Sequence, residues 1–198
     1  AGHTIKEVKP ALVPFVIQEE WCRQLQGLSL KNISCLIKKD KKKIYEGFGE
    51  MLFTHFGVSG PLMLSASSFY VKKYRGEEVQ LFIDLKPALT KEQLDARILR
   101  DFDKNTNKQF KNALDELLPA KLIPVILGLS GVPVEKRVNE ITREERSRLV
   151  ELLKNLTLTI TGTRGFSEAI VTQGGVNVKE ILPASIQSQT RIKKTDEA

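Results

Sequence analysis

The sequence predicts an α+β fold, in which a β-barrel-like domain is interrupted by an inserted helical subdomain. Three observations predict it. The hydrophobic period is that of strands from Ala11 to about Leu85, of helices from Thr90 to about Asn155, and of strands again from Leu156. Two capping boxes, Thr90 with Gln93 and Thr142 with Glu145, open helices inside the middle stretch. Threonines at alternate positions from Thr157 to Thr161 mark the return to strand chemistry.

In chain order, "LVPFVI" is short, apolar and β-branched, and reads as a strand. "LKNISCLIKK" puts Ile33, Cys35 and Ile37 on one face by period two, and "KKIYEGFGEMLFTH" continues the pattern after a lysine turn. "GPLMLSASSFYVKKY" reads as a helix with Pro61 in its first turn, where a missing N–H costs nothing. "EVQLFIDL" is a further strand, following the turn "YRGEE". After Thr90 come Leu94, Ile98 and Phe102 on one helical stripe. "FKNALDELL" and "AKLIPVILGL" read as two more helical pieces, the second interrupted or started by Pro124. "TREERSRLVELLKN" turns Leu149, Leu152 and Leu153 inward, and "LTLTITGTRGFSEAIVTQGGVNV" closes the β unit. The expected boundaries are 11–87 for the first part of the barrel, 88–154 for the helices and 155–172 for the closing strands. Residues 1–10 and 173–198 are polar and carry no strong pattern, and the final "TRIKKTDEA" is expected to fray.

Composition narrows the classes. The chain has 198 residues, 41% hydrophobic and 28% charged, which is enough to bury a core. It contains no apolar run of membrane-spanning length and no layout of a secretory signal. Cys22 and Cys35 are too few for a disulfide framework and read as small buried apolar residues, so a cytoplasmic setting is expected. No metal site is expected from His3, His55 and two scattered cysteines. A net charge of +7 favours anionic partners. The run "KKDKKK", Lys38 to Lys43, reads either as a solvated turn between strands or as a finger on nucleic-acid phosphates. No aromatic lies inside the run, which weakens a single-strand stacking version of the second reading.

Two glycine-rich stretches stand out. In "GEMLFTHFGVSGP", Gly57, Ser59 and Gly60 precede Pro61, and the turn is either a ligand-facing backbone or a tight strand-to-helix corner. It has neither the Gly-Lys-Ser/Thr of a phosphate loop nor a GxGxxG dinucleotide fingerprint. His55 is either a hydrogen-bonded structural residue or a proton donor near neutral pH. In "TGTRGFSEAIVTQGGV", Thr172, Gly174 and Gly175 are expected to end a buried strand in a sharp turn. Arg164 either pairs with Glu168 at the surface or holds an anionic group by its planar fork.

Together, "GEMLFTHFGVSGP", "LTLTITGTRGFSEAIVTQGGVNVKEI" and "PALVPFVIQEEW…LQGLSLKN" resemble the BaiN-like or YhiN-like flavoprotein family of NAD(P)/FAD-dependent oxidoreductases. The resemblance runs from "GHTI" to "ILPASIQS". It implies a split Rossmann-type FAD-binding domain whose middle is a barrel-plus-helix insert. The family's N-terminal dinucleotide fingerprint and C-terminal FAD motif have no counterpart here, so the chain is expected to be that insert, with remnants of the flavin domain at 1–10 and 173–198, and inactive alone.

What the resemblance implies is reduction of an activated carbon–carbon double bond, with FAD as cofactor and NAD(P)H as reductant. His55 or Thr54 would polarise or protonate substrate, and Arg164 would bind an acidic substituent. Gly57, Ser59, Gly60, Thr172, Gly174 and Gly175 would lie near the flavin. The partners implied are the rest of the flavin domain and either an enone-like small molecule or RNA. Two other readings stand beside this one. The chain is a basic nucleic-acid-binding module, possibly of an enzyme that reduces an RNA base, or it self-associates through the apolar "LIPVILGL".

Overall fold

A computed structural model describes residues 2–182 of the chain. Its centre is a closed barrel of six antiparallel strands. In chain order these are β2 (Phe15–Ile17), β3 (Ser29–Lys39), β4 (Lys42–Phe53), β5 (Gly57–Ser59), β6 (Val79–Asp84) and β7 (Leu156–Thr163). Around the barrel the order is β2-β5-β4-β3-β6-β7. Closure falls to the short β2, which pairs Val16 with Gly57 on one side and with Gly162 on the other. Closing the sheet removes the exposed edges that an open antiparallel sheet would present.

Alternation fills the interior. Cys35, Ile37, Leu81, Ile83, Leu158 and Ile160 are buried from β3, β6 and β7, and each large apolar side chain so placed contributes about 1.5–3 kcal/mol. The lysine run forms the β3–β4 hairpin, with Lys39 opposite Lys42 and Asp40 in the left-handed region at φ 50°. Helix α1 (Pro61–Lys73) starts directly after β5 with Pro61 in its first turn. It packs across β4, where a side chain at Gly47 would meet Leu62 at 2.9 Å. Its Tyr70 is fully buried, stands edge-on to Phe15 at 5.5 Å between centroids and donates its hydroxyl to the Glu77 carbonyl.

Between β6 and β7 the chain forms α2 (Lys91–Lys104), α3 (Ile123–Ser130) and α4 (Arg143–Lys154). Both capping boxes are present, Thr90 with Gln93 and Thr142 with Glu145. Pro124 sits in the first turn of α3 and Gly131 ends the helix in the left-handed conformation. Lys154, at the end of α4, ties the helices to the barrel. Its ammonium lies 2.6 Å from Asp84 and donates to the carbonyls of Lys86 and Leu89.

Four expectations are corrected. "FKNALDELL" is not a helix: only Phe110–Asn112 make one 3-10 turn. Gln109 bridges to Arg137 and Phe110 donates to the Lys136 carbonyl, so a long-range strand-like contact outcompetes local helix formation. The N-terminal stretch is not patternless. β1 (Ile5–Ala11) pairs antiparallel with β8 (Val171–Val176) in a two-stranded ribbon outside the barrel. Thr172, Gly174 and Gly175 therefore lie within a largely exposed strand and do not end a buried one. Finally, "LIPVILGL" is core: Leu122, Ile123, Val125, Ile126 and Leu127 are buried, which leaves Leu129 as the exposed large apolar side chain of that stretch. The expectations for the tail beyond residue 182, including its fraying, lie outside the described residues.

Candidate functional site

Long-range pairing brings His55 and Arg164 to one end of the barrel. Thr54 and Gly57 close a tight turn between β4 and β5: the Thr54 amide donates to the Gly57 carbonyl, and the Gly57 amide donates to Thr54 Oγ1 at 3.1 Å. This turn exposes His55, whose ring stands edge-on to Phe56 at 4.8 Å. Arg164, just past β7, donates its amide to the Pro14 carbonyl and lays its guanidinium over the Phe56 ring, 4.6 Å from the centroid. Its Nε donates to Glu168 at 2.5 Å, so the surface pairing expected as one alternative is present. That bond uses one of five guanidinium N–H donors.

The glycines near this corner have neighbours of their own. A Cβ on Gly57 would lie 2.4 Å from the Phe15 carbonyl oxygen, so the backbone that approaches it is β2. At Gly60 (φ +92°) the neighbour is the β4 backbone, with Leu52 N at 3.0 Å. Ser59 sits between them, paired with Leu52.

Thr172, Gly174 and Gly175 belong to the ribbon, not to the corner. Gly174 faces the Glu7 carbonyl, beside the irregularity between Lys6 and Lys9, whereas Gly175 (φ +92°) has open space where a Cβ would be. The ribbon leans on α1 through a bond from Gln173 Nε2 to the Ser68 carbonyl. Its far end is held by Glu180, which accepts from the Thr4 amide at 3.0 Å and contacts His3 Nδ1 at 3.1 Å. Hydrogen bonds from Thr4, then from His3 and Asn177, pull the Glu180 carboxyl down to about 2. Of the thirteen large apolar side chains exposed among the described residues, eight lie on the ribbon and its flanks, among them Ile5, Ile170, Val171 and Val178. Such clustering marks a surface built to be covered.

Both cysteines are buried and free. Burial first, with Glu19 near Cys22 and Glu46 near Cys35 adding to it, pushes each thiol up to about 12, so neither acts as a nucleophile near neutral pH.

A second region went unread in the sequence. A cavity of about 740 Å³ opens between β3, β4 and the start of the helical unit, with Asn32, Ser34, Phe48, Lys86, Arg97 and Glu116 on its lining. Phe48 follows Gly47, which faces α1, and so by alternation points outward, 64% exposed. Burial, and then the charge of Arg97, hold the Lys86 amine below the ordinary lysine value. No periodic signal in the sequence joins these positions, since β3–β4 pairing and the Lys154 anchor bring them together.

A closed barrel, a helical unit let in before its last strand and a ribbon that pairs the two ends of the barrel segment define a barrel-and-helix domain. The chain belongs to the HI0933-like protein barrel and H2TH domain family, whose model matches residues 9–171. This match agrees with the resemblance carried by the three sequence motifs. The chain is similar to a 3-dehydro-bile acid delta(4,6)-reductase of Clostridium scindens, 28% identical over 190 residues that cover 95% of this chain and 46% of that protein. It is also similar to ribosomal RNA dihydrouridine synthases of Escherichia coli and Haemophilus influenzae. These are 26% and 29% identical, with 95% and 91% of this chain covered against 44% and 42% of theirs. The chain thus spans less than half the length of these curated relatives. Among the described residues no helix is long and apolar enough to cross a membrane.

Proposed function

We propose that this chain is the substrate-facing insert of an FAD-dependent oxidoreductase that reduces an activated carbon–carbon double bond with NAD(P)H. The observation that carries the reading is the ribbon, in which Ile5 pairs with Val176 so that the chain enters and leaves the barrel side by side. A domain set into another needs its two connections adjacent, and the apolar ribbon offers the host a surface to cover. The relatives' names support the chemistry, since a delta(4,6)-reductase and a dihydrouridine synthase both describe hydrogen added across a double bond.

FAD does not fit this chain alone. The space at Gly57, Gly60 and Gly174 is taken by the chain's own backbone, and among the described residues no helix opens on a dinucleotide-type glycine fingerprint. The host domain would grip the cofactor, whose ring supplies hydride chemistry when bound. Thr172 and Gly175 on the ribbon are assigned to the side facing that domain, and Ser59 to the barrel end nearest it. In this arrangement exposed His55 delivers a proton to substrate and Thr54 supports the turn that presents it. The N–H groups of Arg164 left unpaired among the described residues receive an acidic substituent, with Phe56 and Glu168 holding the guanidinium in place.

The test uses the longer protein that carries the flavin domain. His55→Ala is expected to slow substrate reduction at least tenfold while FAD retention stays unchanged, and equal loss of both would make His55 structural. Titration of the 198-residue chain with FAD is expected to show no tight binding. Micromolar or tighter binding would overturn the reading.

A further inference from the structure

The outer face of the barrel carries two aromatic side chains that nothing in the corner or the ribbon uses. Ser34 on β3 pairs with Phe48 on β4 and with Asp84 on β6; two residues on, Leu36 pairs with Glu46 and with Phe82. Because alternate residues share a face, Phe48, Ser34, Leu36 and Phe82 form one outward surface with Glu46 and Asp84, whose carboxylates pair with Lys43 and Lys154, while Cys35 and Ile37 point inward. Strand spacing and rise put Phe48 and Phe82 roughly 12 Å apart. Phe82 is half-buried under the Lys38 ammonium, 5.8 Å from its centroid, whereas Phe48 has a bare face over the cavity.

Cations frame this surface. Lys86 has no carboxylate partner among the described residues, and it is half-buried on the lining of the same cavity as Phe48. Arg97 pairs with Asp101 through Nε, which leaves its other N–H groups available. Lys31 lines an adjoining cavity that shares Asn32 and Lys86, and Arg100 lines one that shares Arg97. Among the described residues Glu116 is the single carboxylate on the lining of the 740 Å³ cavity. At the far end of β3 the hairpin adds Lys41, in no ion pair among the described residues, whereas Lys42 lies over the Tyr74 ring, 6.0 Å from its centroid.

We infer that this face, from the Lys86–Arg97 cavity across Phe48 and Phe82 toward the lysine hairpin, binds single-stranded RNA. A cation beside an exposed aromatic ring matches a ligand that alternates phosphate with a planar base, since every base offers a face to stack and every linkage a charge to neutralise. A duplex keeps its bases stacked on one another and leaves Phe48 without a role. Asn32 and Ser34 offer hydrogen-bond donors and acceptors to a base seated on Phe48. The site does not depend on the flavin reading, because its residues are all in this chain and none of them belongs to the His55 corner.

The experiment measures fluorescence anisotropy of a labelled 12-nucleotide oligouridylate, and of a 12-base-pair RNA duplex, with the 198-residue chain over a range of salt. Single-strand binding that weakens with salt is expected. Phe48→Ala should weaken it at least fivefold and erase the preference over duplex. Lys86→Ala should weaken it at least threefold and reduce the salt slope by about 0.7. Both side chains lie at least partly at the surface, so unchanged thermal melting of the variants would show that the fold is retained. The inference is overturned if the chain shows no salt-dependent binding, or if both variants bind as the parent does. It is equally overturned if Lys41→Ala with Lys42→Ala abolishes binding that Phe48→Ala leaves intact, since that places the RNA on the hairpin alone. None of these results bears on FAD, so this inference and the proposed function fail separately.

Discussion

The guanidinium of Arg164 rests 4.6 Å from the centre of the Phe56 ring, joining the end of the last barrel strand to the turn that presents His55. Magnitudes decide how much of the fold depends on it. An exposed cation–π contact contributes about 0.5–1 kcal/mol. The ion pair to Glu168, with both side chains roughly a third or more exposed, adds no more than a few tenths after solvent screening.

Arg164→Ala is therefore expected to lower the melting temperature of the chain by no more than about 4 °C. Calorimetry or circular dichroism checks this. In the longer protein, a loss of activity beyond tenfold with so small a change in stability would mark Arg164 as a substrate contact. A fall in melting temperature above about 8 °C would instead make the residue structural.

Gly57 and Gly175 separate two reasons for a glycine. A methyl group at Gly57 meets the Phe15 carbonyl oxygen at 2.4 Å and the Ile17 amide nitrogen at 2.8 Å, and neither is a side chain that can turn away. Gly57→Ala is expected to destabilise the chain by about 2–3 kcal/mol, because it pushes β2 out of the barrel. At Gly175 the space is open and only the left-handed φ resists, so Gly175→Ala should cost about 1 kcal/mol. Urea unfolding midpoints give the order, and a reversed order would refute the β2 contact.

Glu180 makes the ribbon's end sensitive to acid. Its folded-state carboxyl lies near 2 against an ordinary 4.5, so the clasp with Thr4 and His3 contributes fully above about pH 4.5. That contribution falls away as pH drops toward 2. Amide exchange at Asn177, whose N–H donates to the Thr4 carbonyl, is expected to stay protected to pH 5 and to lose protection between pH 4.5 and 2. Glu180→Gln should remove the pH-dependent step. A carboxyl titration centred at 4.5 would show that the clasp does not form.

Much of the fold was legible because it depends on short-range rules. Each capping box joins residues three apart, and Pro61 and Pro124 both fall in first helical turns where the missing N–H is harmless. Period two marked the inward faces of β3, β6 and β7. Less of the site was legible. His55 and Arg164 were chosen from chemistry and resemblance, while their shared neighbour Phe56 was not, since an aromatic beside a histidine carries no periodic signal. The glycines drew attention as ligand-facing turns, and at Gly57, Gly60 and Gly174 the approaching backbone is the chain's own.

By itself, then, the sequence determined the strand and helix stretches, the helical insertion and the basic charge, all set by hydrogen bonds and side-chain alternation within a few residues. Only the tertiary structure decided the rest. Barrel closure by β2, the β1–β8 ribbon, the denial of a helix to "FKNALDELL" and the cavity shared by Phe48 and Lys86 each depend on residues far apart in the chain. Sheet register and the anchoring of one unit on another depend on which distant backbone supplies the hydrogen bonds, and no local pattern encodes that choice.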